Sequence, residues 1–433
     1  MADVRPFSGI RYAPDLRANL ASLVTPPYDV ISPEAQASYY DRHPYNIIRL
    51  ELGRDEAHDD TLNNRYTRAA ATFADWRMQG VMSQDATAAF YLYRQRFQSG
   101  GKDYWRTSLL ARVRLEPWEA GVVLPHEHTM PKPKDDRLKL LRACAANVSP
   151  IMSLYEDADG VMQRLLAPLL HQPPQAAFTD DAGEEHTLLP IADADLIAEA
   201  QRFFASRQLF VADGHHRYET ALTYRKEVLE SRKDLHADDA VNFVLMALIA
   251  FEDPGLVILP THRLVKGVPA ERISQLPEGL SRFFVVDRMP ADTPPDEALA
   301  KLPADAPGAF MLMTVDSVFR VQAQPEGVRR MADAKRSAAW QKLDVAVLQR
   351  LVLDEALGLD AEAVAGGDFL SFTRDAKAAA QAVQSGTAQL AALMRPTPVE
   401  QLRDVALAGD RMPQKSTYFY PKLITGLVIN PLW

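Results

Sequence analysis

Cysteine is almost absent: Cys144 is the one thiol in 433 residues, which excludes an internal disulfide and a cysteine-rich zinc centre. A bound metal would have to be held by His, Asp and Glu. Long apolar runs are missing as well, since the longest, FVLMALIAF from Phe243, has nine residues against the roughly 18 of a membrane span. No membrane partner is expected. The opening MADVRPFSGIRY lacks a basic stretch leading into an apolar core and a small-residue cleavage site, so a cytoplasmic location is the expectation. Positive charge is in deficit: 48 Lys and Arg face 57 Asp and Glu, a net −9, which would repel a polyphosphate backbone and argues against nucleic acid. There is no internal repeat or low-complexity tract, which sets aside solenoids and propellers.

What remains is 47% hydrophobic and 24% charged, the composition of a globular chain. Its length exceeds what one core supports, so two or three domains are expected. Runs such as AAFYLYRQRF, VNFVLMALIAF and RFFVVDRM read as strands between amphipathic segments, giving a mixed α/β protein. VILPTHRLV reads as a further strand, and 343–357 as a helix with Leu343, Val347, Leu351 and Leu357 on or near one face. Phe419, Leu423 and Ile424 are expected in the core. Pro- and Asp-rich breaks fall at 171–186 and 288–308. Coarse limits are 1–85, 86–190, 191–270 and 271–433.

The stretch QLFVADGHHRYETAL, 208–222, sets an apolar strand against Asp213, Gly214, His215, His216 and Arg217, and then begins a helical pattern. A helix N-terminus offers backbone N–H groups and a dipole that favour an anion. Gly214 permits close backbone approach, Arg217 can grip a phosphate with two nitrogens, and the imidazoles can donate hydrogen bonds or ligate metal. Asp213 would hold a metal or orient a histidine. The plain alternative is an N-cap Asp followed by polar surface histidines.

Other stretches carry chemistry too. In VVLPHEH an extended chain sends His126 and His128 to one face and Glu127 to the other, which suits two ligands of one site. Between 132 and 142, Lys132, Lys134, Arg137, Lys139 and Arg142 oppose only Asp135 and Asp136, a local +3 that could steer a phosphorylated ligand or simply form a solvated helix face. PPYDVIS offers Tyr28 and Asp29. NIIRLELG, read as a strand, points Arg49 and Glu51 to one side, towards a site or towards solvent. In LPTHRLV alternation lets only one of His262 and Arg263 meet a ligand. GDRMPQKST imitates a Walker loop through Gly409, Lys415 and Ser416, but Gln414 replaces the second glycine and β-rich sequence follows, so Lys415, Ser416 and Thr417 are expected at most to line a polar pocket.

VADGHHRYETAL resembles the signature of the family known as domain of unknown function 1015. PPYDVI, HPYNIIRLELG, PHEHTMPKPKDDRLKLLRACAANVSPI, LPTHRLV and MPQKSTYFYPKLITGLV resemble the same family, so the likeness spans nearly the whole chain. The Gly214–Arg217 turn is also similar to the phosphate-binding turn of the ParB/sulfiredoxin superfamily, which includes free serine kinase and nucleotide-dependent partition proteins. That resemblance implies nucleotide phosphates on Gly214, His216 and Arg217. It also implies a ParB/sulfiredoxin-like core built from 1–85 and 191–270, with a β-rich module (86–190) inserted and a mixed α/β module (271–433) after it. His215 stands where sulfiredoxin has its reactive cysteine, so sulfiredoxin chemistry is excluded there, and Cys144 is expected in the core.

Three functions follow as expectations. The first is an enzyme acting on a phosphorylated small molecule, a nucleotide-dependent phosphotransferase or phosphohydrolase resembling free serine kinase. ATP or ADP with Mg²⁺ would lie on Gly214, His216, Arg217, Lys134, Arg137, Lys415 and Ser416. Its proton-transfer groups would come from Asp213, His215, His216, Glu127, Asp29 and Glu51. The second is a Zn²⁺ or Mn²⁺ hydrolase with Asp213, His126 and His128 as ligands, joined by His215 or His216. The third is a nucleotide-sensing module without turnover. No oligomeric state is implied.

Overall fold

Phe243–Ala250 is buried at seven successive positions, and a strand hidden on both faces belongs in the middle of a sheet. In the computed structural model it pairs parallel with Ile151–Tyr155 and antiparallel with Lys102–Arg114. The structure describes residues 1–129, 131–303, 306–332, 336–360, 363, 367 and 369–433; the side chains of Pro131 and of Lys132, one of the expected basic residues, lie outside the described set. Among these residues the chain divides into two compact units. Met1–Pro125, Thr129–Val257 and Pro421–Trp433 form the first, and His126–His128 with Ile258–Tyr420 form the second.

The first unit is built on a mixed sheet in the order Val123–Leu124, Leu209–Asp213, Ile151–Tyr155, Phe243–Ala250, Lys102–Arg114, Phe90–Ser99, Glu185–Ile191, Ala176–Thr179, with Val4–Arg5 added on Lys102–Arg114. Its core joins the sheet's Val211, Val244, Met246 and Leu109 to Phe203, Phe204 and Tyr218 from helices. Helix Ala194–Phe204 starts where the Asp193 side chain accepts from the Leu196 N–H, and buries Ala200, Phe203 and Phe204. Helix Pro131–Cys144 runs beside helix His215–Ser231, tied by Lys134–Glu219 at 3.0 Å and Arg142–Glu227 at 2.7 Å.

The second unit carries an antiparallel sheet ordered Phe284–Met289, Ser317–Ala323, Ala309–Thr314, Leu390–Leu393, His262–Val265, Leu370–Thr373. Helix Ala376–Gln384 packs Ala376, Ala379, Ala380 and Val383 into its core. Small residues there let helix and sheet approach closely. The segment expected as one helix is α-helical over Asp344–Val347 and π-helical over Leu348–Ala356, with Leu343, Val347, Leu351 and Leu357 all buried as expected.

Two local expectations are corrected. NIIRLELG forms one helical turn, Ile48–Glu51, in place of a strand. The Asn46 side chain accepts from the Ile48 N–H at 2.9 Å while its amide donates to the Ser22 carbonyl at 2.7 Å, which caps and anchors that turn. Arg49 and Glu51 therefore part: Arg49 donates to the carbonyls of Tyr40 and His43, and Glu51 is buried. In VVLPHEH the regular strand ends at Leu124; Glu127 makes an isolated bridge with Met412, and of the two flanking histidines His126 is buried whereas His128 is exposed. No helix among the described residues is long and apolar enough to cross a membrane.

Candidate functional site

The junction at 208–222 forms as its residues demand. Leu209–Asp213 is a strand, Gly214 takes φ +102°, and His215–Ser231 is a helix of 17 residues. A register shift against Ile151–Tyr155 sets Val211 opposite Ser153 and Asp213 opposite Met152 and leaves Ala212 between them unpaired, a bulge just before the turn. An added Cβ at Gly214 would meet the Arg217 guanidinium at 2.9 Å. The left-handed backbone calls for glycine here, and a side chain at this position would also push the folded-back arginine aside.

Arg217 donates to Asp213 Oδ2 at 2.7 Å and to the Pro150 carbonyl at 2.6 Å. Asp213 Oδ1 accepts from Lys422, which lies 209 positions later in the chain. Burial opposes ionisation of Asp213, but Lys422 and Arg217 outweigh it, so the carboxyl is held well below its ordinary range. His215, buried, adds to that effect. His216 is half-buried, and its carbonyl accepts from the Thr220 hydroxyl at 2.9 Å.

Glu51 is the second carboxylate of this region. Its Oε1 accepts from the Tyr28 N–H at 3.3 Å and lies 3.6 Å from Arg137, while its buried Oε2 has no hydrogen bond from the protein. Burial pushes its pKa up, and Arg137, Arg217, the Tyr28 N–H and the Ser149 hydroxyl offset that only in part. Arg137, itself buried, also donates to the Glu51 carbonyl at 3.0 Å, pairs with Asp136 at 2.5 Å and lies 4.0 Å from the centre of the Tyr28 ring. Glu51, Arg137, Ser149, Arg217 and Thr220 line one cavity of about 40 Å³. That is space for a few waters or the tip of a phosphoryl group.

The structure thus brings together Asp213, Gly214, His215, Arg217, Glu51 and Arg137. Asp29 is exposed on the turn Tyr28–Val30. Lys134 pairs with Glu219, Lys139 with Asp135 and Arg142 with Glu227, so each described cation of the basic segment faces a carboxylate. Its +3 is a local count that the fold balances with acids from elsewhere. In the second unit His126 Nε2 lies 3.0 Å from the Thr417 hydroxyl, Glu127 Oε1 accepts from the Lys415 N–H at 3.0 Å, and Ser416 bonds the Pro413 carbonyl. Cys144 is buried and its thiol is pushed up to about 12, an inert core residue.

Sequence reasoning missed three contributors. Lys422 sits in an apolar C-terminal stretch with no local signal. Ser149 and Pro150 lie between the short strand Ala146–Asn147 and the strand Ile151–Tyr155 and present only ordinary loop chemistry. One metal-type cluster among the described residues, Asp180, Glu184 and His186 with ligand atoms within 4.8 Å of one another, was also unforeseen.

A comparison with curated proteins finds no match. Among solved structures, a conserved hypothetical protein from Pyrococcus furiosus aligns at 10% identity with TM-score 0.36, over 75% of this chain and 97% of that one. Free serine kinase in complex with AMP aligns at 11% identity and TM-score 0.37, over 74% of this chain and 92% of its own. SbnI with a C-terminal truncation, from Staphylococcus aureus, aligns at 13% and 0.37, over 75% and 87%. The family model described as Protein of unknown function (DUF1015) matches residues 4–346, most of the chain, and the chain belongs to that family.

Proposed function

We propose that the first unit carries an enzyme site for a phosphorylated small molecule, and that its reaction is phosphoryl transfer from a nucleotide or hydrolysis of one. The observation that carries this reading is the meeting of Glu51 and Arg217 on one small cavity, with one Glu51 oxygen unbonded and buried there. Two carboxyls that share the influence of Arg217 are shifted in opposite directions, Glu51 up and Asp213 down, which divides the roles of proton acceptor and fixed charge. Glu51 accepts the proton of the attacking hydroxyl or water. Arg217, Lys422 and the start of helix His215–Ser231 take the phosphate charge. Asp213 holds the two cations in position. Because both of its oxygens already face cations, it is a poor ligand for Zn²⁺ or Mn²⁺. Mg²⁺ arriving with ATP or ADP would neutralise phosphate charge. The turn's resemblance to the ParB/sulfiredoxin superfamily supports a nucleotide as the phosphate donor.

The test combines thermal shift with Mg-ATP and Mg-ADP and ³¹P spectra in the presence of hydroxyl-bearing amino acids and sugars. Wild-type protein is expected to bind nucleotide and to release ADP from ATP, or AMP from ADP, together with the phosphorylated acceptor or, with water as acceptor, phosphate. Glu51→Gln should keep binding and lose at least about a hundredfold in rate, whereas Arg217→Ala should lose binding. Saturable nucleotide binding with unchanged ³¹P spectra would move the assignment to a sensing module. Intact binding and turnover in Arg217→Ala would end the reading altogether.

A further inference from the structure

The second unit contains a cavity of about 420 Å³, a size that suits small-molecule sites. Trp340, Leu348, Leu353 and Phe372 give it an apolar lining, and Arg263, Arg336 and Arg411 reach it. Arg336 pairs with Asp410 at 2.8 Å and lies 4.9 Å from the Trp340 ring centre. Arg263 is different. It is 4% exposed, donates only to the carbonyls of Thr261 and Lys415, and pairs with no carboxylate among the described residues. Burial brings its pKa down to about 10, with Glu127 acting only through space. A buried guanidinium without a counter-ion costs several kcal/mol, and a chain that retains one beside an open cavity has left room for the anion. One wall supports the same view: it is the π-helix Leu348–Ala356, a rare form found frequently at functional sites.

We propose that this cavity binds a small organic anion with a flat apolar body, its carboxylate or phosphate on Arg263 and its ring beside Phe372 and Trp340. Phe372 already lies 5.7 Å from the Arg263 guanidinium, so charge and ring surface are offered together. The site stands independently of the phosphoryl-transfer reading, since Glu51, Asp213, Arg217 and Lys422 take no part in it.

Calorimetric titration of the full chain with 1-naphthoate, 1-naphthyl phosphate and uncharged 1-naphthalenemethanol tests the proposal. At least one anion should bind at one site and at least tenfold more tightly than the alcohol, and the better of the two identifies the headgroup. Arg263→Met should level the anion with the alcohol, Leu353→Trp should fill the cavity and abolish binding, and Arg217→Ala should leave binding unchanged. Equal affinity of anions and alcohol for the wild-type protein, absence of saturable binding, or loss of the anion in Arg217→Ala overturns the proposal. The wild-type selectivity decides even where a variant fails to fold.

Discussion

Glu51 shows how one side chain can be costly to the fold and useful to the site. Its folded-state pKa is raised, chiefly by burial. Below the ordinary glutamate range both folded and unfolded chains carry the proton and no penalty arises. As pH rises through the raised value, the unfolded chain ionises more readily, and stability falls. Glu51→Gln removes that titration, and Arg137 retains Asp136 and the residue-51 carbonyl. The variant is therefore expected to unfold at a higher temperature than wild type at pH 7 to 8, with the gap closing towards pH 4. A gap that is constant or reversed across a pH series of melting curves would falsify the assignment of Glu51 as a desolvated carboxylate. Asp213 runs the other way: its folded pKa is depressed, so its contribution is present above the ordinary aspartate range and is lost only in stronger acid. Of these groups, Asp213, Gly214 and Arg217 were legible in the sequence because strand, turn and helix put them within five positions. Lys422 was not, because nothing local marks a lysine that meets its partner across 209 positions.

Among the elements, the strand–turn–helix unit Leu209–Ser231 follows closely from its pattern, since a run of apolar residues, a glycine and a helical period agree on one structure. Its weak point is Gly214. Gly214→Ala would impose a side chain on a φ of +102° and set a methyl against Arg217. The backbone strain alone is worth about 1–3 kcal/mol, and the displaced guanidinium would leave Asp213 with Lys422. The variant is expected to melt several degrees lower and to lose nucleotide binding as Arg217→Ala does; unchanged binding would show that the folded-back arginine is not the ligand-holding form. Alternation misled at NIIRLELG because five residues with polar side chains at 49 and 51 fit a strand and a single helical turn equally well. The Asn46 bonds to Ile48 and Ser22 settle it, and those lie outside any periodicity. At 343–357 the buried positions were readable but the π-helical winding was not, since both windings bury the same leucines and valines.

At the scale of the molecule, the chain passes from one unit to the other at 125/126, 128/129, 257/258 and 420/421, and composition has no means of registering such crossings. Their consequence is that the first unit is completed by its last thirteen residues, Pro421–Trp433. Leu423, Ile424, Leu427, Val428, Ile429 and Leu432 are all buried. Ile429 donates to the Ile10 carbonyl at 2.9 Å, Asn430 pairs with Asn147, and the Pro421 carbonyl accepts from the fully buried Arg106 at 2.6 Å. Burying each of the six apolar side chains is worth roughly 1.5–3 kcal/mol, a sum comparable to the roughly 5–15 kcal/mol that holds a whole domain together. Removing Pro421–Trp433 would also take Lys422 from Asp213, leaving a half-buried carboxylate with Arg217 alone. The shortened chain is expected to lose hydrogen-exchange protection throughout Phe243–Ala250 and Ile151–Tyr155, while Ala309–Thr314 and Leu390–Leu393 in the second unit stay protected because their core contains none of the removed residues. Protection retained across Phe243–Ala250 after that truncation would mean that the first unit's sheet closes its core without the C-terminal segment.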